Sequence, residues 1–167
     1  MTRRDTIIKW TAYLVVLWLT AVVNYYVLGP LPMALPLLLP ILAVAGGTLE
    51  GAPFGTVYGG FAGAVMSGLG HLSPGCIVVL SAMGWFAGLA TQYVLRRDVW
   101  GHLICSVIAI LAWELWAVGS RLLAHTAPLE VLLRVAVPEL LWTLAFILPV
   151  YWLGRACCVN YGRIYHE

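Results

Sequence analysis

Apolar residues in this chain neither alternate nor recur on a single helical face. They run in blocks, and Gly, Pro and charged residues mark the breaks. From Trp10 to Leu28 there are 19 residues with few polar groups, close to the roughly 20 that a helix needs to cross a bilayer. Five further blocks follow, and the pattern predicts helical spans at about 7–28, 31–49, 53–69, 75–95, 100–121 and 131–154, with boundaries good to about ±2–4 residues. The breaks at 29–30, 50–52 and 70–74 are so short that the helices on either side must be antiparallel neighbours. The second block carries Pro32, Pro36 and Pro40, four residues apart. Each proline removes a backbone donor, so this segment is expected to kink or to be partly re-entrant, with neighbouring protein satisfying the freed carbonyls. The first block follows Arg3, Arg4 and Lys9; it is too long for a signal-peptide core and reads as a retained first helix.

Composition supports the same class. Of 167 residues, 62% are hydrophobic, nine are Lys or Arg, seven are Asp or Glu, and the net charge is +2; the mean hydropathy is +0.94. A water-soluble domain carries about a quarter charged residues, against 10% here. The fold class is therefore all-α, a polytopic membrane protein formed as one helical domain over residues 1–167, with no space left for a soluble catalytic domain. Six spans place both termini on one side. That side collects Arg3, Arg4, Lys9, Arg96, Arg97, Arg155 and Arg163, whereas the other holds Arg121 and Arg134. The excess of basic residues predicts cytoplasmic termini. Trp10, Tyr13, Tyr93, Trp100, Tyr151 and Trp152 would then lie at the inner interface and Tyr25 and Tyr26 at the outer one.

The sharpest local feature is a ladder of small residues, Gly47, Gly51, Gly55, Gly59, Gly63 and Ser67, each four apart, with Gly84 and Gly88 on the following span. Positions four apart form one ridge of a helix, and a ridge without side chains lets another helix approach closely. The ladder predicts packing within the protein or a docking face for another membrane protein; Gly60 lies off the ridge. Glu114, about 14 residues into span five, and Glu139, about 8 into span six, fall at similar depth on antiparallel helices at about 1.5 Å per residue. Carboxylates at that depth are costly. At least one is expected to be protonated or paired, with Arg121 and the indole N–H groups of Trp113, Trp116 and Trp142 as candidate partners. Such a set builds an interhelical hydrogen-bond network, a ligand or proton site, or a polar contact with a partner helix.

Glu50 stands in a tight turn expected to be cytoplasmic, where it can cap span three or meet a partner. Glu130 and Arg134 are spaced for an ion pair. Asn24 is expected near the outer interface, hydrated or bonded to a neighbouring helix. His71, His102, His125 and His166 share no helix face or ligand spacing, so no metal site is expected. Cys76, Cys105, Cys157 and Cys158 match neither a zinc pattern nor a disulfide framework and read as reduced thiols. Catalytic motifs for hydrolysis, phosphate binding or metal-dependent transfer are missing from the sequence. The expectation is a protein without catalytic residues or cofactor, and without nucleic-acid binding.

Glu50-Gly51, Gly55, Gly59 and Gly63, the turn at Pro74-Gly75 and the run Gly84-Trp85-Phe86-Ala87-Gly88-Leu89 resemble the middle of the rod shape-determining protein MreD family. Pro138-Glu139-Leu140-Leu141-Trp142, followed by Pro149-Val150-Tyr151 and Arg155, is similar to the ending of that family. Ser67 departs from it, standing where MreD-like chains often carry an acidic residue. The resemblance implies a multi-pass protein of the bacterial inner membrane, a scaffold of the cell-elongation machinery that maintains cell shape. It would associate with the bitopic protein MreC and, through it, with MreB and the peptidoglycan synthases, with membrane lipids around it and a homo-oligomer possible in principle. The competing class is the substrate-binding subunit of an energy-coupling-factor vitamin transporter, whose six-helix topology is similar. Such subunits carry an Ala-x-x-x-Ala face on their first helix; here that helix offers Ala12 and Ala21, nine apart.

Overall fold

A segment that is apolar around its whole circumference is stable only inside other protein or in lipid, and Leu38–Glu50 takes the first course. In the computed structural model, which describes residues 3–29, 36–70, 73–96, 98–124 and 128–161, this 13-residue helix (α2) is buried along its length, with only Leu49 partly open. Around it stand α1 (Arg3–Val22), which continues into a π-helical turn (Val23–Val27), α3 (Ala52–Gly70), α4 (Gly75–Tyr93), α5 (Val99–Leu123) and α6 (Leu129–Tyr161). Every one of these helices touches α2. No strand occurs among the described residues. Pro32, His71, Arg97, His125, Arg163 and His166 lie outside them.

Pro36 and Pro40 of the second block do not kink a long helix; they stand at the start of a shorter one. Pro36 precedes α2 and Pro40 sits in its first turn, where a missing N–H removes no intrahelical bond. The resulting helix is about 20 Å long at 1.5 Å per residue, shorter than a hydrocarbon core of about 30 Å. The N–H of Leu37, just ahead of it, donates to Thr143 Oγ1 of α6 at 2.9 Å. α6, at 33 residues, is longer than its predicted block and carries Pro138 and Pro149 within it.

Four helical segments are long and apolar enough to cross a membrane: Arg4–Val27, Gly75–Tyr93, Val99–Leu123 and Leu129–Cys158. Large apolar side chains on their outer faces, among them Leu19, Phe86, Ile108, Leu115 and Leu141, are exposed, as suits contact with lipid. The chain is thus a membrane-embedded helical protein. Glycine-rich α3 is the helix closest to α2 and α4, and a single residue, Gly51, reverses the chain between α2 and α3. Its φ of 108° lies where side-chain-bearing residues are strained. Gly51 N–H donates to the Gly47 carbonyl at 2.9 Å and Gly55 N–H to the Gly51 carbonyl at 3.0 Å, so the reversal leaves few backbone groups unpaired.

The small-residue ladder faces inward. A Cβ at Gly55 would fall on the carbonyl oxygen of Gly84, and one at Gly84 on that of Gly55. Gly47 presses on the same Gly84 carbonyl, Gly59 on the backbone at Leu80, Gly63 on that at Ile77, and Gly88 on that at Ala52. The ridge therefore meets α4 within the chain, with Ser67 partly buried a turn beyond, while Gly60 faces the Ser81 hydroxyl. Because every obstacle on the ridge is backbone, a side chain there can be accommodated only by moving a helix. Gly59→Leu and Gly84→Leu are expected to lower the folded yield on fluorescence-detected size-exclusion chromatography. Gly68→Ala, whose Cβ meets nothing within 4 Å, should leave the profile unchanged; equal profiles for all three would refute the role of the ridge.

Candidate functional site

Two polar assemblies interrupt the apolar bundle, one at each end. At the end formed by the start of α1 and the close of α2, Lys9 Nζ lies 2.5 Å from Glu50 Oε1, both side chains having no solvent exposure. The Tyr13 hydroxyl donates to the same carboxylate oxygen at 3.1 Å, with the Gly154 carbonyl of α6 at 3.4 Å as a second acceptor. Tyr58 of α3 in turn donates to the Tyr13 carbonyl at 3.0 Å. Around these groups the rings of Trp10, Tyr13, Phe54 and Tyr58 pack at centroid separations of 4.5 to 5.5 Å. Four helices are thus tied through one ion pair and its aromatic sheath.

His102, on the first turn of α5, is buried beside this assembly. Its Nδ1 shares a hydrogen bond with Thr48 Oγ1 of α2 at 3.0 Å, its Nε2 one with Ser106 Oγ at 3.3 Å, and its ring lies 5.0 Å from that of Tyr151 of α6. Through His102, α5 joins the four helices already tied at this end.

The sequence pattern puts Lys9 and Tyr13 at the membrane interface, as an orienting charge and an amphipathic ring; in the structure both side chains are buried within the protein. Glu50, expected as a cap or partner contact, and His102, expected as one of four scattered histidines, are likewise buried and bonded. The correction has one cause, a partner distant in sequence. Two signals were nonetheless available: Lys9 and Tyr13 are four apart on one face of an apolar segment, and so are His102 and Ser106. The predicted Glu130–Arg134 pair does not form, since both side chains stand exposed on α6, where an ion pair gains little over hydration. Asn24, expected in water or bonded to a neighbour, is buried in the π-helical turn with its Oδ1 unpartnered.

At the opposite end, the later turns of α5 meet the first turns of α6. Glu114, Glu139 and Arg121 interact electrostatically there, and all three line a cavity of about 290 Å³. Trp113 and Trp116, 5.5 Å apart between ring centroids, form part of its wall, and Leu37, Met66 and Cys76 add apolar surface from α3, α4 and the approach to α2. Glu114 Oε1 is shielded from solvent without a hydrogen-bond partner. Near Glu139, the hydroxyl of Thr143 donates to the Glu139 carbonyl at 2.5 Å while accepting from Leu37 N–H, which holds the approach to α2 against α6. The structure thus brings the three predicted polar residues to one place, at the end opposite Glu50.

A third feature is apolar. α4 and α5 diverge over a groove of about 570 Å³ whose surface includes Ala82, Ala90, Ala109, Ala112, Phe86 and Ile108. Small residues let another helix come close in lipid, where association rests on packing. Among the described residues, no three His, Cys, Asp or Glu side chains come together as a metal site would require.

Removing one member of a buried ion pair strands the other, at a cost of about 3–5 kcal/mol, whereas replacing both with apolar residues is far milder. Lys9→Met and Glu50→Leu are each expected to lower the melting temperature of the detergent-purified protein sharply, and the double substitution to recover most of the loss. Additive losses in the double variant would show that the two side chains act separately.

No family model matches this chain, and no curated protein or solved structure is significantly similar to it.

Proposed function

We propose that this protein is an MreD-like scaffold of the bacterial inner membrane, with six spans and cytoplasmic termini, which grips the single transmembrane helix of an MreC-like protein. Through that partner it would organise MreB and the peptidoglycan synthases and so maintain cell shape. Two runs of sequence support the reading, Glu50 to Leu89 with its glycines and Pro138 to Arg155. The observation that carries it is the α4–α5 groove, apolar, open on the outer face of the bundle and surfaced by five alanines. A bitopic partner brings one helix to this surface, and van der Waals packing against the alanines would hold it. The glycine ridge, filled by α4, serves to build the scaffold.

A second reading, a substrate-binding subunit of an energy-coupling-factor transporter, is favoured by one observation, the cavity with its carboxylates and arginine. The two readings differ in what they assemble with. Mass spectrometry of proteins that co-purify with the tagged chain, gently solubilised from its host membrane, is expected to recover an MreC-like protein. Ala112→Trp, at an exposed position of the groove, should reduce that recovery several-fold without changing folded yield. Recovery of transporter ATPases and their membrane subunit would replace the scaffold reading with that of a solute receptor.

A further inference from the structure

We propose that two copies of this chain associate in the membrane through the first turns of α6, with Glu130 of each copy meeting Arg134 of the other. The start of α6 stands out from its own bundle: Leu129, Glu130, Val131, Leu133, Arg134 and Val135 are exposed, and Leu132 alone in that stretch is buried. Glu130 and Arg134 lie one turn apart on one face, and neither has a partner among the described residues. With Val137 and Pro138 they border an open hollow of about 600 Å³. Trp152, with the Arg155 guanidinium over its ring, suits the headgroup interface at the other end of the helix. Arg134 is 18 residues away from it, about 27 Å at 1.5 Å per residue, and so lies just inside the opposite edge of a core about 30 Å thick. Charged side chains on a spanning helix pair with one another or face the interior of a bundle; here both face outward, amid apolar side chains.

One acid and one base on the same face select a second copy as the occupant. Copies that share one orientation in a membrane are related by a two-fold axis along the bilayer normal, so the two α6 helices run parallel and each contact occurs twice. Glu130 of one copy then meets Arg134 of the other at an offset of about 6 Å along the helix axes, similar to the spacing across which e and g side chains of parallel coiled coils pair. A face of single sign would repel its own copy. Within one helix the pair stays open, because an exposed pair gains little over hydration; between two helices that exclude water, guanidinium and carboxylate make charge-assisted hydrogen bonds. Pro138 has no N–H, so the Arg134 carbonyl lacks its donor four residues on and remains as an acceptor for the guanidinium's other N–H groups. An anionic lipid headgroup would satisfy Arg134 and be repelled by Glu130, and an apolar helix would leave both unpaired. This inference does not depend on the scaffold reading, which concerns the α4–α5 groove; either can fail while the other stands.

The test measures energy transfer between copies of the full chain, fused at the C-terminus to a donor or an acceptor fluorescent protein and reconstituted into phosphatidylcholine liposomes over a range of protein-to-lipid ratios. Saturable transfer that fits a dimer is expected for the unaltered chain. Glu130→Arg and Arg134→Glu each set like charges opposite one another twice and should weaken association by about tenfold, the scale of one hydrogen bond to a charged group. A mixture of the two variants, donor on one and acceptor on the other, should associate again, since both contacts between unlike copies are then attractive; the double variant should recover as well. An ion pair internal to one chain would be recovered in the double variant and not in the mixture, which makes the mixture the deciding arm. Both positions are exposed, and monodisperse size-exclusion profiles check that the variants fold. Should a reversal fold poorly, Glu130→Gln and Arg134→Gln are expected to weaken association in the same direction. Transfer no greater than random proximity gives, association unchanged in the folded variants, or a mixture that stays dissociated would overturn the proposal.

Discussion

A helix that offers no face to water or lipid must be enclosed on every side, and the enclosure of α2 governs the arrangement of the other five. α2 is too short to cross a hydrocarbon core by itself, and its backbone termini need partners from elsewhere in the protein. Those partners are present. Thr143 of α6 accepts from the N–H of Leu37 at its approach, and Gly51 turns the chain directly into α3 at its close. The tightest wall of the enclosure is the junction of Gly47, Gly55 and Gly84, where three helices meet backbone to backbone. In lipid there is no hydrophobic drive to press helices together, so close approach and dispersion contacts take that place.

Packing of that kind is weakly directional, since one glycine ridge can slide on another by a turn. Polar contacts at the two ends remove the ambiguity. Lys9–Glu50 with Tyr13 fixes α1 and α6 against α2, and His102 with Thr48 fixes α5. A buried ion pair contributes little net stability, because desolvation offsets most of the Coulomb attraction; in a bundle of apolar helices its effect is to penalise every arrangement in which the pair is broken. The Glu114–Glu139–Arg121 cavity differs from that end, as a carboxylate oxygen there is left without a donor. One end of the molecule is internally satisfied and the other is not.

The apolar blocks and the smoothness of the glycine ridge were legible because each depends on residues close in sequence, whereas the ridge's inward packing against α4 was not. Glycines at intervals of four report a smooth ridge whatever lies opposite. Proline was harder to read. Pro40 falls in a first turn where it disturbs nothing, and the length of α6 through Pro138 and Pro149 shows that neighbouring helices can hold a proline-containing segment straight enough to continue. The depth arithmetic that set Glu114 beside Glu139 succeeded because α5 and α6 are consecutive and antiparallel, so counting residues is enough.

By itself, then, the sequence determined that this chain is helical and that its helices are apolar enough to live in a membrane, since hydrophobic length acts locally, but not that α2 begins only at Leu38 or that α6 runs on to Tyr161. Only the tertiary structure decided that Lys9 is interior, since its partner is 41 positions away in the chain at the end of a different helix, and that His102 joins Thr48 and Ser106. Whether a charged or hydrogen-bonding side chain faces lipid, water or another side chain is a property of what stands opposite it, and no periodicity along one strand of sequence records that.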